Sequence, residues 1–120
     1  MRKVIYADDH KAIREGVAML MIKEIEGLDI SLDFVEQGEP LVERVRAREY
    51  HLVFTDNSMP PGISGIEATR RIRSFNSTIP IILVCSDVSR FLGRVDGIQD
   101  YLEKGDLAPG VFLKIFKKYL

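Results

Sequence analysis

The sequence of 120 residues lacks several features that mark particular classes of protein. Its only cysteine, Cys85, excludes an internal disulfide bond and fits a reducing compartment. Its apolar runs are far shorter than the ~20 residues of a membrane-spanning helix, and the segment after Met1 has no signal-peptide pattern. The formal net charge is −1, so the composition does not predict direct binding to nucleic acid. We therefore expect a cytoplasmic protein with no membrane association.

The chain is predicted to form one α/β domain over residues 1–120. This length suits a single hydrophobic core, and no repeat, low-complexity tract or linker divides it. Short apolar runs alternate with helical patterns, which predicts a five-stranded parallel sheet that is doubly wound, with helices on both faces. The second strand is expected at an edge of the sheet. The predicted strands are residues 4–7, 30–35, 52–55, 81–84 and 99–103.

Helical patterns follow the first, second, third and fifth strands, at about residues 13–25, 40–45, 65–75 and 109–119. The third of these helices carries Arg70, Arg71 and Arg73, which we expect to be solvated. Residues 86–97, where a further helix belongs, contain two glycines and have poor helical periodicity. A short or distorted helix is therefore expected after the fourth strand.

Three carboxylates lie at the carboxyl ends of predicted strands. Asp8 and Asp9 follow the first strand, and Asp56 follows the third. In sheets of this kind ligands bind at these strand ends, and neighbouring first and third strands would bring the acids together. Mg²⁺ would offset their repulsion, because it takes oxygen ligands and keeps waters that a phosphate oxygen can replace. An aspartate held there could attack a phosphoryl group and form an acyl phosphate.

Two further groups are predicted at the same edge. Lys104 follows the fifth strand, where its ammonium group could pair with Asp56 or with a bound phosphoryl group. Cys85 and Ser86 follow the fourth strand, where a hydroxyl or a backbone N–H could donate to a phosphoryl oxygen. Each residue alone has an ordinary explanation, such as a helix cap, a turn or a solvated lysine. The argument for a phosphoryl site is that all of them are predicted at the same edge of the sheet.

Together these residues resemble the response-regulator receiver domains of two-component signalling, over essentially the whole chain. The Asp-Asp-His opening and the Gly-Ile-Glu-Ala-Thr-Arg run are most similar to the NarL/LuxR-type subfamily. The resemblance implies a flavodoxin/CheY-like fold with strand order 2-1-3-4-5. It rests on Ala-Asp-Asp-His at 7–10, Arg-Glu-Gly at 14–16, Asp-Asn-Ser-Met-Pro at 56–60, Gly-Ile-Glu-Ala-Thr-Arg-Arg-Ile-Arg at 65–73 and Asp-Tyr-Leu-Glu-Lys at 100–104.

The resemblance also implies a metal site and a phosphoacceptor. Asp56 would accept the phosphoryl group, and Lys104 would contact that group. Asp9, Asp56 and the backbone carbonyl of Ser58 would bind Mg²⁺ or Mn²⁺ directly, with Asp8 binding through water. The donor would be a phosphohistidine on a sensor histidine kinase or phosphotransfer protein. A receiver of this kind assists its own phosphotransfer and is not a turnover enzyme.

The switch residues are also implied by the resemblance. Tyr101 would move inward when the hydroxyl at the end of the fourth strand is drawn to the phosphoryl group, although a tyrosine on a half-buried edge strand needs no such role. The family has Thr or Ser where spacing from Pro80 places Cys85, whose thiol is a weak hydrogen-bond partner. A shifted strand would give the role to Ser86 instead.

Other departures from the family pattern concern length. The segment between Cys85 and Lys104 is several residues shorter than usual, which puts the usual output surface and a homodimer contact in doubt. Residues 61–65 contain about one extra residue, and Gly105 replaces a common proline. These departures support a second hypothesis, a degenerate receiver that acts as a phosphorylation-independent interaction module.

The sequence fits two other classes of protein less well than a receiver. A phosphatase of the haloacid-dehalogenase type needs a second acid two residues after its nucleophile, where this sequence has Ser58. A flavodoxin needs a phosphate loop after the first strand, where this sequence has two acids. The NarL/LuxR-type resemblance makes a DNA-binding output domain outside this chain an expected partner.

Overall fold

The computed structural model describes residues 1–91 and 95–120, which contain one five-stranded parallel sheet. Its order is β2-β1-β3-β4-β5, and every neighbouring pair is parallel. This order is that of the flavodoxin-like doubly wound folds, so the predicted fold class and the edge position of the second strand are confirmed. The strands are β1 (Arg2–Ala7), β2 (Ile30–Val35), β3 (Leu52–Asp56), β4 (Ile81–Cys85) and β5 (Asp100–Glu103).

Within residues 1–91 and 95–120, four α-helices follow four of the strands. They are α1 (Lys11–Glu24), α2 (Gly38–Ala47), α3 (Gly65–Arg73) and α4 (Val111–Tyr119), the last being the helix predicted from Pro109. Between β4 and β5 the described residues form only a 3₁₀ turn, Val88–Phe91, and residues 92–94 of the predicted irregular stretch lie outside the described residues. The expectation of a short or distorted helix there is confirmed. A second 3₁₀ turn, Lys104–Asp106, follows β5.

The sheet is covered on both faces, because alternate residues of each strand point to opposite sides. Ile5, Val53 and Leu83 face α2 and α3, where they pack with buried residues such as Leu41 and Ile72. On the other face, buried side chains of β1, β3 and β4 pack against α1 and α4. The central strands β3 and β4 are buried along their whole length. This packing fixes the positions at which the strands end, and so the positions of the residues that follow them.

The expectation that the three arginines of α3 are solvated is wrong for Arg73. Its guanidinium donates to the carbonyl oxygen of Gly97 at 2.7 and 3.0 Å and to Oε1 of Gln99 at 2.9 Å. Arg70 and Arg71 are exposed, and both pair with Glu67 on their own helix. Arg73 differs because the segment that leads into β5 passes over the carboxyl end of α3. The guanidinium therefore ties α3 to the crossover that precedes β5.

Across the part of the chain that the structure describes, none of the helices has the length and apolar character needed to span a membrane.

Candidate functional site

The three predicted carboxylates meet at one point of the sheet edge. β1 and β3 are neighbours, with Ala7 opposite Thr55, so Asp8 and Asp56 leave the sheet side by side. The Asp8 side chain is fully buried and that of Asp56 is 5% exposed, whereas Asp9 is partly exposed. One oxygen from each carboxylate lies within 4.8 Å of the others. The predicted convergence of the acids is therefore present.

Lys104 supplies positive charge to this acidic cluster. Its Nζ lies 3.2 Å from Oδ2 of Asp8 and 3.2 Å from Oδ1 of Asp56, and the side chain is only 13% exposed. The lysine reaches the cluster because it directly follows β5, whose last residue, Glu103, pairs with Cys85 of β4. One ammonium thus bridges the ends of the two acidic strands.

His10 also enters the cluster, and no role for its side chain was predicted. Its Nδ1 lies 3.0 Å from Oδ1 of Asp9, 3.1 Å from Oδ1 of Asp8 and 3.7 Å from Oδ2 of Asp56. His10 is the N-cap residue of α1 and has extended backbone angles. The tight turn from β1 into α1 therefore folds the imidazole back over the strand ends. The signal available in the sequence was its position directly after the acid pair.

The protein raises the pKa of Asp56. Burial is the largest cause and the charge of Asp8 is the second, whereas Lys104 and the hydrogen bond from the Asn57 N–H act in the opposite direction. That N–H donates to Oδ1 of Asp56 at 2.8 Å. The other oxygen, Oδ2, is buried and has no hydrogen-bond partner among the described residues. An ionised Asp56 is therefore incompletely compensated, which is the condition that a divalent cation relieves.

The loop between β3 and α3 packs closely against the end of β3. The Gly65 N–H donates to the Asn57 carbonyl oxygen at 2.9 Å, and a Cβ at Gly65 would overlap the carbonyl oxygen of Asp56. Only a residue without a side chain allows this approach. The backbone around the predicted phosphoacceptor is thus fixed by a close contact.

Two side chains at the start of α2 hold the same loop. Oε1 of Gln37 accepts from the Gly62 N–H at 3.0 Å, and Oε1 of Glu39 accepts from the Ile63 N–H at 3.1 Å. Gly62 and Ile63 lie in the segment with the extra residue. The added length is therefore anchored to α2.

Ser58, Cys85 and Ser86 lie around a cavity of about 70 Å³ beside Asp56. Cys85 ends β4 and is buried, and burial raises the pKa of its thiol, which therefore stays protonated. Ser58 and Ser86 are exposed. The structure brings all three predicted residues to the acidic cluster. Both Cys85 and Ser86 line the cavity, so either residue is close enough to Asp56 to serve as the switch residue.

Tyr101 lies on β5 and is partly exposed. Its hydroxyl oxygen accepts a hydrogen bond from the Val95 N–H at 2.8 Å. Its ring stacks on Phe91 of the 3₁₀ turn, with ring centroids 6.2 Å apart and an interplanar angle of 18°. The tyrosine therefore contacts the irregular β4–β5 connection at two points, Phe91 and Val95.

The sheet order and the acidic cluster agree with a comparison against known families. The model of the response regulator receiver domain matches residues 4–108, and the chain belongs to this family. Rice (Oryza sativa subsp. japonica) has a similar protein, the two-component response regulator ORR41, which is 43% identical over 89 residues that cover 72% of this chain and 68% of that protein.

The oxygen regulatory protein NreC of Staphylococcus carnosus is 34% identical over 107 residues, which cover 85% of this chain but 48% of that protein. The chain thus spans about half the length of this relative. The bacterial matches agree with a receiver closest to the NarL/LuxR type, which confirms that part of the resemblance.

A solved structure adds a relative with an ion in place. The response regulator TrrA of Thermotoga maritima, described in complex with Mg²⁺-BeF, is 27% identical, has a TM-score of 0.74, and matches over 98% of this chain and 96% of that one.

Proposed function

We propose that this chain is a phosphorylatable receiver that accepts a phosphoryl group on Asp56 in a Mg²⁺-dependent step. The observation that carries this proposal is the environment of Asp56. Its carboxylate is buried beside two other acids, Lys104 lies 3.2 Å from Oδ1, and Oδ2 has no hydrogen-bond partner among the described residues. A carboxylate in this setting has a fixed orientation, which suits a nucleophile.

The metal ligands follow the family pattern. Asp9, Asp56 and the backbone carbonyl of Ser58 would hold Mg²⁺ or Mn²⁺ directly, and Asp8 would bind through water. The three aspartates fit a divalent ion, because their oxygens converge and an orphaned buried oxygen of Asp56 lies among them. When bound, the ion would neutralise charge on the transferring phosphoryl group.

The chain's own residues would carry out the remaining steps. The Asn57 N–H and Lys104 hold Oδ1 of Asp56 and so fix the carboxylate, one oxygen of which attacks phosphorus while the other would face the ion. The bond between phosphorus and the histidine nitrogen of a sensor kinase or phosphotransfer protein breaks as the acyl phosphate forms. Lys104 would then contact a phosphoryl oxygen. The chain assists this transfer, and the later loss of the group, without turnover of an external substrate.

Switching would pass through the end of β4. A donor at Cys85 or Ser86 would contact the phosphoryl group, and Tyr101 would change its packing against Phe91 in response. The output surface would change with it. Since relatives such as NreC are about twice as long as this chain, we include transcription regulation through a DNA-binding output domain in the proposal. A homodimer stays a prediction.

A degenerate receiver is the second candidate, because two features of the β4–β5 region favour it. Cys85 offers a protonated thiol where the family has a hydroxyl, and the described residues between β4 and β5 form only a 3₁₀ turn. In that case the chain would act as an interaction module whatever the state of Asp56.

A measurement of protein mass distinguishes the phosphorylatable receiver from the interaction module. The intact protein is incubated with acetyl phosphate, with Mg²⁺ or with a chelator. We expect the wild type to gain the mass of one phosphoryl group only with Mg²⁺, and Asp56→Asn to gain none. Asp106→Asn, which changes an exposed aspartate, is the matched control and should behave as the wild type. No gain of mass in the wild type would support the interaction module.

A further inference from the structure

The acidic cluster contains a nitrogen donor as well as carboxylate oxygens. His10 presents Nδ1 to Asp8, Asp9 and Asp56 at distances between 3.0 and 3.7 Å. Although 58% of the side chain is exposed, this nitrogen lies within 3.7 Å of an oxygen of each of the three carboxylates. The family pattern describes only oxygen ligands for the ion, so the imidazole is a feature of this site that the resemblance does not explain.

The distances fit ligands of one ion. In octahedral coordination with bonds of about 2.1 Å, neighbouring ligands lie about 3.0 Å apart and opposite ligands about 4.2 Å apart. The distance from Nδ1 to Asp9, 3.0 Å, matches neighbouring positions, and the 3.7 Å to Asp56 lies between the two values. His10, Asp9 and Asp56 thus lie within the spacing of one coordination shell, and Asp8, which would bind through water, lies beside it.

A second observation supports an ion at the position between His10 and the acids. Oδ2 of Asp56, the oxygen nearest to Nδ1, is buried without a hydrogen-bond partner among the described residues. The imidazole Nδ1 is hydrogen-bonded to Oδ1 of Asp8, but at 3.7 Å it does not reach Asp56, and Oδ1 of Asp9 is also buried without a hydrogen-bond partner among the described residues. An ion between these groups would satisfy all of them at once.

We propose that His10 is a ligand of the divalent ion through Nδ1, and that it shifts the selectivity of the site from Mg²⁺ towards later transition ions such as Co²⁺ and Ni²⁺. Imidazole suits these ions, whereas Mg²⁺ prefers oxygen ligands. The inference rests on the proposed function, because it concerns the ion of the same site. It makes the metal preference of this receiver depend on one residue of the Asp-Asp-His run.

A different result is expected if His10 competes with the ion and is not its ligand. If the imidazole only fills the place of the ion, it must leave before any ion binds. Its removal would then strengthen the binding of Mg²⁺ and Co²⁺ by the same factor. A ligand role instead predicts opposite or unequal effects on the two ions.

Calorimetric titration of the full chain with Mg²⁺ alone and with Co²⁺ alone separates these roles. The variants are His10→Ala and the control His51→Ala, which changes the other histidine, just before the first residue of β3 and so at the end of that strand opposite to Asp56. All titrations are run at the same pH. We expect His10→Ala to weaken Co²⁺ binding by about tenfold or more, with Mg²⁺ changed by less than about threefold. His51→Ala should change neither.

A spectroscopic measurement supplies the direct readout. With Mn²⁺ bound, pulsed electron paramagnetic resonance should show coupling to an imidazole nitrogen in the wild type and in His51→Ala, and none in His10→Ala. Equal changes for Mg²⁺ and Co²⁺, or unchanged nitrogen coupling in His10→Ala, would overturn the inference. In either case Mg²⁺-dependent phosphorylation of the wild type would leave the proposed function standing. A wild type that binds neither ion would overturn both.

Discussion

The two halves of the site differ in how firmly the chain holds them. The acidic half, Asp8, Asp9 and Asp56, lies on the neighbouring strands β1 and β3 and is bridged by Lys104. The switch half consists of Cys85, Ser86 and Tyr101 and adjoins the irregular connection between β4 and β5. Buried charges and a close glycine contact fix the acidic half, whereas Ser86 is exposed and Tyr101 packs on a four-residue 3₁₀ turn. The acids that would accept a phosphoryl group are thus held by more buried contacts than Ser86 and Tyr101, two of the residues that would report it.

The largest effect is expected from Gly65→Ala, which tests the rigidity of the acidic half. The added methyl group would overlap the carbonyl oxygen of Asp56, so the backbone must shift. We expect a loss of about 3 kcal/mol in the free energy of unfolding, measured by urea denaturation. Gly105→Ala is the control, since no atom lies within 4 Å of its Cβ position, and it should change stability by less than about 0.5 kcal/mol. Similar losses of unfolding free energy in Gly65→Ala and Gly105→Ala would contradict the view that a close contact at Gly65 fixes the acidic half.

Arg73→Ala tests how the connection into β5 is held. The variant removes the guanidinium that donates to Gly97 and Gln99, so these acceptors lose a charged partner. We expect a loss of roughly 2 kcal/mol in the free energy of unfolding, the usual scale for hydrogen bonds to charged groups. Arg71→Ala removes an exposed ion pair on the same helix and should cost less than about 0.5 kcal/mol. Equal losses would mean that Arg73 does not anchor the crossover.

Lys104→Met tests the electrostatic link between the strands. Asp8 and Asp56 lose the ammonium that lies 3.2 Å from each, and a phosphoryl group on Asp56 loses its cationic contact. We expect the rate of phosphorylation by acetyl phosphate to fall by about tenfold, which corresponds to about 1.4 kcal/mol. Lys114→Met, which changes an exposed lysine of α4, should react at the wild-type rate. If Lys104→Met were phosphorylated at the wild-type rate, Lys104 would have no role in the phosphoryl transfer.

A smaller effect, on stability, is expected from Asp56→Asn in the absence of divalent ions. The folded state raises the pKa of Asp56, so between the ordinary and the raised pKa it binds more protons than the unfolded state. Wild-type stability therefore falls as pH rises through this window and does not recover above it. Asn cannot ionise, so the variant should have the higher thermal midpoint at neutral pH.

The pH dependence supplies the check on that prediction. The difference in midpoint between Asp56→Asn and the wild type should shrink as pH falls below the ordinary pKa of aspartate. Mg²⁺ should stabilise the wild type and leave Asp56→Asn less affected. A variant that is less stable than the wild type at neutral pH would show that Lys104 overcompensates the burial of Asp56.

The sequence predicts the fold and the acidic half well for one physical reason. Buried parallel strands read as short apolar runs, and the chain must leave the sheet where each run ends. Asp8, Asp56 and Lys104 stand at those points, so the order of the strands alone brings them together. The confirmed strand order 2-1-3-4-5 is what makes the one-dimensional pattern a three-dimensional site.

Other contacts depend on geometry that the pattern does not contain. The position of His10 depends on how tightly the chain turns from β1 into α1, and the burial of Arg73 depends on where the β4–β5 crossover passes. Likewise, the spacing from Pro80 favours Cys85 as the switch position, but the structure places both Cys85 and Ser86 beside Asp56. Turn angles and loop paths of this kind are set by packing, so residue type alone does not predict them.

The most direct test of the account is the identity of the phosphorylated residue. The wild type is treated with acetyl phosphate and Mg²⁺, the acyl phosphate is trapped by borohydride reduction, and the modified peptide is sequenced by mass spectrometry. We predict that the modification lies on Asp56 and requires Mg²⁺. Modification of Asp9, a phosphoryl group on His10, or labelling that does not depend on the ion would contradict it.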